Sequence, residues 1–176
     1  MPVQIGQKRE SDFSDPLGLL SDCHRRIERF LGVLVKIAQK AGELNAEERT
    51  AFENALEYFR NSAPKHTADE EDSLFPRLRA QASLDRLPEL ESDHETADRD
   101  HQLVDSLGRR WLAEGTLAPE QTRELRGALA RLSRMYARHI AVEDRDLFPL
   151  AAQILPADQL AEVGREMAGR RGIKTK

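Results

Sequence analysis

The 176-residue sequence has a single cysteine and few aromatic residues, and it lacks an excess of positive charge. With only Cys23, the chain cannot form an internal disulfide or a thiolate-rich zinc site. The net charge of −4 disfavours nucleic acid as a partner. No apolar run approaches the roughly 20 residues of a membrane span, and residues 1–13 show no signal-peptide core. These absences predict a soluble, cytoplasmic protein without a membrane partner.

Apolar residues recur at spacings of three and four through most of the chain, and hairpin signals such as Asn-Gly are missing. Four long helices are predicted, at about Pro16–Ala41, from Asn45 past Glu70, at Pro88–Gly115, and from Pro119 to about Leu147. The second should kink at Pro64, because proline cannot donate a helical hydrogen bond. Long helices joined by short links are typical of an antiparallel up-and-down bundle. The predicted fold is therefore an all-α four-helix bundle.

The predicted bundle occupies residues 16–150. Residues 1–15 are expected to form a flexible N-terminal segment. Residues 151–176 are expected to form a short fifth helix, which begins at Pro156 and covers one end of the bundle, followed by a solvated basic tail.

The second and fourth helices share a motif. His-x-x-x-Glu, followed by three residues and Leu-Phe-Pro, begins at His66 and again at His139, 73 residues later. A Ser-Asp pair also precedes a histidine in the first and third helices, directly before His94 and one residue further from His24. The chain therefore consists of two related helical hairpins.

All five histidines lie on the apolar stripe of a predicted helix. A single histidine there is usually a satisfied core residue, but five buried imidazoles need partners that no series of Ser, Thr or Asn supplies. Glu70 and Glu143 lie on the same stripes, where an ionised carboxylate is costly unless it is paired or bound to metal. The alternative, a surface pair at i and i+4, suits Glu28, Asp98 and Asp105 at the stripe edges. A metal-free helical module would leave the two central glutamates unexplained.

The heights of these residues along the helices predict one layer. In an antiparallel bundle the starts of the first and third helices meet the ends of the second and fourth. His24 and His94 lie roughly 12 Å and 9 Å into their helices, while His66 and His139 lie near the ends of theirs. The candidate metal ligands are His24, His66, Glu70, His94, His101, His139 and Glu143. Imidazole and carboxylate without thiolate favour iron, manganese or zinc.

From about Pro16 to Leu150, the order of these residues resembles the hemerythrin-like HHE cation-binding family. The resemblance implies two iron ions joined by an oxo or hydroxo bridge, with histidines as terminal ligands and Glu70 and Glu143 as bridging ligands. Zinc or manganese are possible substitutes for the iron. It also implies that O₂ or another small diatomic binds at an open position, and it names no protein partner.

Two features depart from the oxygen carriers of that family. The carriers place two histidines four residues apart on the third helix, whereas His94 and His101 are seven apart. His101 must lean back over a Cα separation of roughly 10 Å to reach a metal, so it is either a ligand or a core histidine. The last bridging acid of the carriers sits five residues after its histidine, whereas Glu143 sits four after, with Asp144 as the alternative.

Several functions share such a site. The resemblance implies a protein that senses, stores or scavenges a diatomic ligand. An iron store and a di-iron enzyme, which reduces peroxide or repairs iron-sulfur centres, are the alternatives. The repair proteins carry a cysteine-bearing N-terminal segment, and residues 1–15 contain no cysteine.

Overall fold

The computed structural model describes residues 11–40, 42–82 and 84–174, and every regular element in these ranges is helical. The elements in chain order are α1 (Pro16–Ala38), α2 (Ala46–Asn61), α3 (Ala63–Ala68), the π-helical turn π1 (Asp69–Leu74), α4 (Phe75–Gln81), α5 (Leu87–Glu114), α6 (Pro119–Val142), the π-helical turn π2 (Glu143–Leu147), α7 (Phe148–Ile154) and α8 (Ala157–Arg170). The predicted all-α fold with a C-terminal helix is confirmed. Among the described residues, none of the helices combines the length and apolar character needed to cross a membrane.

The long elements form a closed ring. We call residues 46–81 the second arm and residues 119–154 the fourth arm. Helix α1 packs against α2 and α6, and α5 packs against the same two helices from the other side. The first hairpin is α1 with the second arm, and the second hairpin is α5 with the fourth arm. Helix α8 lies across one end, in contact with α1 and π1.

Local sequence signals fix several of the helix ends. The Asp15 carboxylate accepts a hydrogen bond from the Gly18 N–H at the start of α1. Asn45 and Glu48 form a capping box before α2, so two otherwise unpaired N–H groups are satisfied. Gly115 ends α5 with a φ of 79°, a left-handed conformation that glycine adopts without steric cost.

In the first hairpin, two boundaries differ from the sequence prediction. Helix α1 ends at Ala38 rather than at Ala41, which lies outside the described residues. The second helix is interrupted between Asn61 and Ala63, and Pro64 lies in the first turn of the new segment. Proline is tolerated there because N–H groups in a first turn have no partner within the helix.

A π-helical turn contains the glutamate in both copies of the repeated motif. The N–H of Phe75 donates to the carbonyl of Glu70, and the N–H of Phe148 donates to the carbonyl of Glu143. These bonds span five residues instead of the usual four. A proline follows each phenylalanine, and its ring would crowd the carbonyl four residues earlier in a regular α-helix. The wider turn accommodates this proline.

Two apolar clusters lie on either side of a polar layer formed by His24, His66, Glu70, His94, His139 and Glu143. The larger cluster fills the bundle and includes Phe52 and Trp111. The smaller cluster includes Phe75 and receives Val163 and Met167 from α8. Along each helix the polar residues fall between members of the two clusters. The polar layer is therefore closed off by apolar side chains above and below.

The predicted N-terminal segment falls partly outside the structure, since residues 1–10 lie outside the described ranges. Two of its described residues contact the rest of the chain. The Ser11 N–H donates to the Asp22 carboxylate at 2.7 Å, and Phe13 packs on the smaller apolar cluster. A Cβ atom at Gly164 would lie 2.0 Å from the carbonyl oxygen of Phe13, so α8 approaches this segment closely only with glycine there.

Candidate metal centre

Six of the seven predicted ligands meet in the polar layer. They form two groups whose ligand atoms lie within 4.8 Å of one another: His24, His66, Glu70 and Glu143 in the first, and Glu70, His94, His139 and Glu143 in the second. All six residues are at most 9% exposed. Each group could hold a metal ion, and both contain the same two glutamates.

Glu70 joins the two hairpins. Its carboxylate oxygens lie 3.2 Å from Nε2 of His66, 3.3 Å from Nε2 of His94 and 3.7 Å from Nε2 of His24. Burial acts to raise the pKa of Glu70, but His66, His24 and His94 hold that pKa well below its usual value. Glu70 is therefore ionised in the middle of the bundle, which is the state that binds a metal.

Glu143 has the corresponding place in the second hairpin. Its Oε2 atom lies 3.1 Å from Nε2 of His24 and 3.1 Å from Nε2 of His139. Although these contacts are short, all four carboxylate oxygens of Glu70 and Glu143 are buried and lack a hydrogen-bond partner among the described residues. Buried carboxylate oxygens without donors are costly, and a cation between them removes that cost. The donor set therefore fits a metal ion.

Three further carboxylates form hydrogen bonds with the Nδ1 atoms of histidines, on the side of each ring that faces away from the polar layer. The hydrogen bonds join Nδ1 of His24 to Asp144 at 2.9 Å, Nδ1 of His94 to Glu71 at 2.7 Å, and Nδ1 of His139 to Asp93 at 3.4 Å. An Nδ1–H that donates to a carboxylate leaves the lone pair on Nε2, directed into the polar layer. The Nε2 atoms of His94 and His139 lie only 3.1 Å apart, so a proton or a cation must lie at this contact.

Burial and the nearby carboxylates decide which imidazoles are charged. Burial acts to lower the pKa of His94, but Glu70 and Glu71 raise it to about 9. For His66, burial dominates and lowers the pKa to about 4, although the Glu70 carboxylate opposes it. In the metal-free layer, His94 is therefore protonated at neutral pH and His66 is neutral.

Sequence reasoning missed the supporting roles of Glu71 and Asp93, and it considered Asp144 only as an alternative bridging acid. Asp144 instead lies behind His24, where it also accepts hydrogen bonds from Ser21 and Arg25. The repeat held a signal, because an acid directly follows the glutamate in both copies of the motif. These two acids, Glu71 and Asp144, each support a histidine of the opposite hairpin.

His101, the seventh predicted ligand, lies in neither group. Its Nε2 atom lies 2.9 Å from the hydroxyl of Tyr136, and its ring stacks on Phe59 with centroids 4.4 Å apart. His101, Tyr136 and His94 line a cleft of about 290 Å³ between the second arm and α5. The structure does not bring His101 to the other candidate ligands, and its role as a ligand stays a prediction.

The neutral state of His101 predicts a pH effect on the metal-free protein. Burial lowers the pKa of His101 to about 4, although Asp100 opposes it, whereas the unfolded value is about 6.5. Only the unfolded chain takes up this proton between pH 6.5 and 4, so the free energy of unfolding is largest above pH 6.5 and falls towards pH 4. In urea unfolding, the free energy of unfolding should decrease less between pH 7 and pH 4 in His101→Leu than in the unsubstituted chain, by up to about 3 kcal/mol. An identical loss in both proteins contradicts the prediction.

Helix α8 supports the segment that carries Glu70. The carboxylate of Asp69 is fully buried and accepts hydrogen bonds from Arg170 at 3.0 Å and from Arg171 at 2.6 Å. Arg170 also donates to Ser73 at 2.7 Å. The prediction of a solvated basic tail is wrong for these two arginines, because a buried carboxylate on π1 draws them inward.

A four-helix bundle that buries four histidines and two glutamates in one layer defines an all-helical protein able to hold a metal. Residues 15–151 match the model of the hemerythrin HHE cation binding domain. The chain is also 34% identical over 171 residues to an uncharacterized protein of Haemophilus influenzae, covering 92% of this chain and 93% of that protein. The chain belongs to the hemerythrin HHE cation-binding family.

Proposed function

We propose that the chain holds two iron ions in the polar layer and binds O₂ or a related diatomic molecule there. The observation that carries this proposal is the sharing of Glu70 and Glu143 between two ligand groups. Two carboxylates placed between two cations neutralise part of the charge of both. A single ion would leave some of the six converging side chains without a role.

The donor types support iron. The layer offers imidazole nitrogen and carboxylate oxygen without thiolate, which suits iron and also admits manganese or zinc. Each group supplies four residues, fewer than the six ligands of an octahedral ion, so open positions remain. Two ferrous ions held there would supply electrons and an open coordination position to a small diatomic ligand.

The surrounding residues hold and shield the ions. Asp144, Glu71 and Asp93 orient three imidazoles through their Nδ1 atoms. The apolar clusters exclude water from above and below, while the cleft beside His94 offers a path for a small molecule. Tyr136 lines that cleft and has a hydroxyl that can donate a hydrogen bond to a ligand entering there.

We place the protein in the cytoplasm, where a single unpaired cysteine stays reduced.

The decisive experiment is to load the metal-free chain with Fe²⁺ under nitrogen and then admit O₂. We expect uptake of two iron ions per chain, and then a visible charge-transfer band that disappears when O₂ is removed. Metal analysis and absorption spectra provide these measurements. Saturation at one iron per chain contradicts the dinuclear centre, and a band that never forms contradicts the diatomic ligand.

A second candidate is a di-iron enzyme that reduces peroxide, and the position of His101 outside both groups favours it. Without His101, each ion has two imidazoles and more open positions for a reacting molecule. His101→Leu separates the candidates, with Asp98→Ala as a control at the cleft surface. Under the proposed function His101→Leu oxidises irreversibly faster than the control, because Tyr136 loses its partner. Unchanged oxidation together with rapid peroxide turnover favours the enzyme.

A further inference from the structure

The four histidines of the polar layer are not equally supported. Nδ1 is bonded to a carboxylate in His24, His94 and His139. Nδ1 of His66 is also buried, but it has no hydrogen-bond partner among the described residues. The second ligand group therefore has both of its imidazoles held from behind, and the first group has only one.

The internal repeat explains the difference. His66 and His139 are equivalent in the two copies of the motif, and Asp93 supports His139 from the position directly before His94. The position directly before His24 in the first hairpin holds Cys23 instead. A thiol is a weak hydrogen-bond acceptor and carries no charge when protonated. The first hairpin therefore lacks the carboxylate that the second hairpin provides.

The missing carboxylate affects how His66 can bind a metal. A neutral imidazole that coordinates through Nε2 must carry its proton on Nδ1. In His66 that proton would be buried without an acceptor, which is unfavourable. Without metal, the proton can remain on Nε2, 3.2 Å from the Glu70 carboxylate. Coordination through Nε2 of His66 therefore leaves a buried N–H without an acceptor, whereas His139 has Asp93 as its acceptor.

We infer that the two metal positions fill in a fixed order. A first divalent cation binds between His94 and His139, and a second binds between His24 and His66 at least about tenfold more weakly, and is the first to leave. Loss of a hydrogen-bond partner behind a metal-binding histidine typically lowers metal affinity by roughly 10- to 100-fold. The inference rests on the proposed pair of ions, and it assigns Asp93 as the positioning residue that sets the order, since the equivalent position in the first hairpin holds Cys23 and no carboxylate.

The test is a titration of the metal-free full chain with Zn²⁺, which has no redox chemistry. Competition with a chromophoric chelator gives the affinities, and NMR of ¹⁵N-labelled histidine shows which imidazoles coordinate. The chain has only five histidines, so the signals can be assigned by single substitutions. We expect the signals of His94 and His139 to change with the first equivalent of zinc, and those of His24 and His66 to change with the second.

Substitutions of Asp93 separate this explanation from simple repulsion between two ions. Asp93→Cys gives the second hairpin the residue of the first, so one supported imidazole remains in each group, and the first zinc should then distribute over both positions. Asp93→Asn keeps an oxygen acceptor for His139 and should keep the order. Asp98→Cys, on the same helix but at the surface cleft, is the matched control and should also keep it.

Each outcome decides a different statement. Simultaneous changes at all four histidines, or first changes at His24 and His66, overturn the inferred order. An unchanged order in Asp93→Cys shows that repulsion or packing sets it, and that also overturns the inference. Saturation at one zinc on His94 and His139 supports the preferred position but contradicts the proposed pair of ions, so the two failures remain distinguishable.

Discussion

Replacing Glu70 with alanine is expected to reduce tightly bound metal from the proposed two ions per chain to at most one. The carboxylate lies within 3.7 Å of imidazoles from three helical elements and belongs to both ligand groups. Its removal deprives both positions of a ligand and leaves the second ion without charge compensation. Glu143→Ala is expected to have the same effect. Metal analysis after gel filtration of zinc-loaded protein measures the result.

Two controls make this experiment specific. Glu70→Gln keeps the side-chain volume and removes the charge, so a loss comparable to that in Glu70→Ala assigns the effect to the carboxylate rather than to packing. Glu28→Ala removes an exposed acid that also follows a histidine by four residues and pairs with Arg25. Glu28→Ala should retain full metal content. Equal losses in Glu28→Ala and Glu70→Ala would show that the distinction between central and edge positions is wrong.

Removal of metal is expected to lower the melting temperature by roughly 10 °C. Each ligand group joins three sides of the bundle, and the two groups together join α1, the second arm, α5 and the fourth arm. A ligand that binds only the folded state at about 1,000 times its dissociation constant stabilises that state by about 4 kcal/mol. In a chain of this size each kcal/mol corresponds to about 2–4 °C.

The measurement is thermal unfolding followed by circular dichroism, with Zn²⁺ and then with an excess of chelator. Glu143→Ala serves as the internal comparison, because a chain that cannot hold the pair of ions should lose most of the difference between the two conditions. A melting temperature that chelation does not change in the unsubstituted chain would show that metal binding does not link the helices.

The polar layer could be predicted because it depends on regular geometry. Helical periodicity placed His24 and Glu70 on the apolar faces of their helices, and the constant rise per residue gave their heights. The repeat then supplied a second copy of the same evidence around His139. Each of these arguments needs only the sequence within one helix and the antiparallel order of the helices.

The supporting residues could not be predicted in this way, because their partners lie on other helices. Asp93 is adjacent to His94 in sequence but supports His139, 46 residues away. Asp69 meets Arg170 across 101 residues, through a helix whose placement periodicity does not fix. The rotation of each helix relative to its neighbours decides such contacts, and the spacing of apolar residues gives that rotation only approximately.

The π-helical turns determine which way the residues on either side of them face. Successive residues of an α-helix are rotated by about 100°. Glu70 faces the polar layer and Phe75 faces the smaller cluster. Both lie on the same side of the arm, although they are five positions apart in sequence. Regular α-helical bonding over the same five positions would turn Phe75 about 140° away from the side on which Glu70 lies. The arm could then direct Glu70 into the polar layer or Phe75 into the smaller cluster, but not both, so the wider turn is required at this spacing.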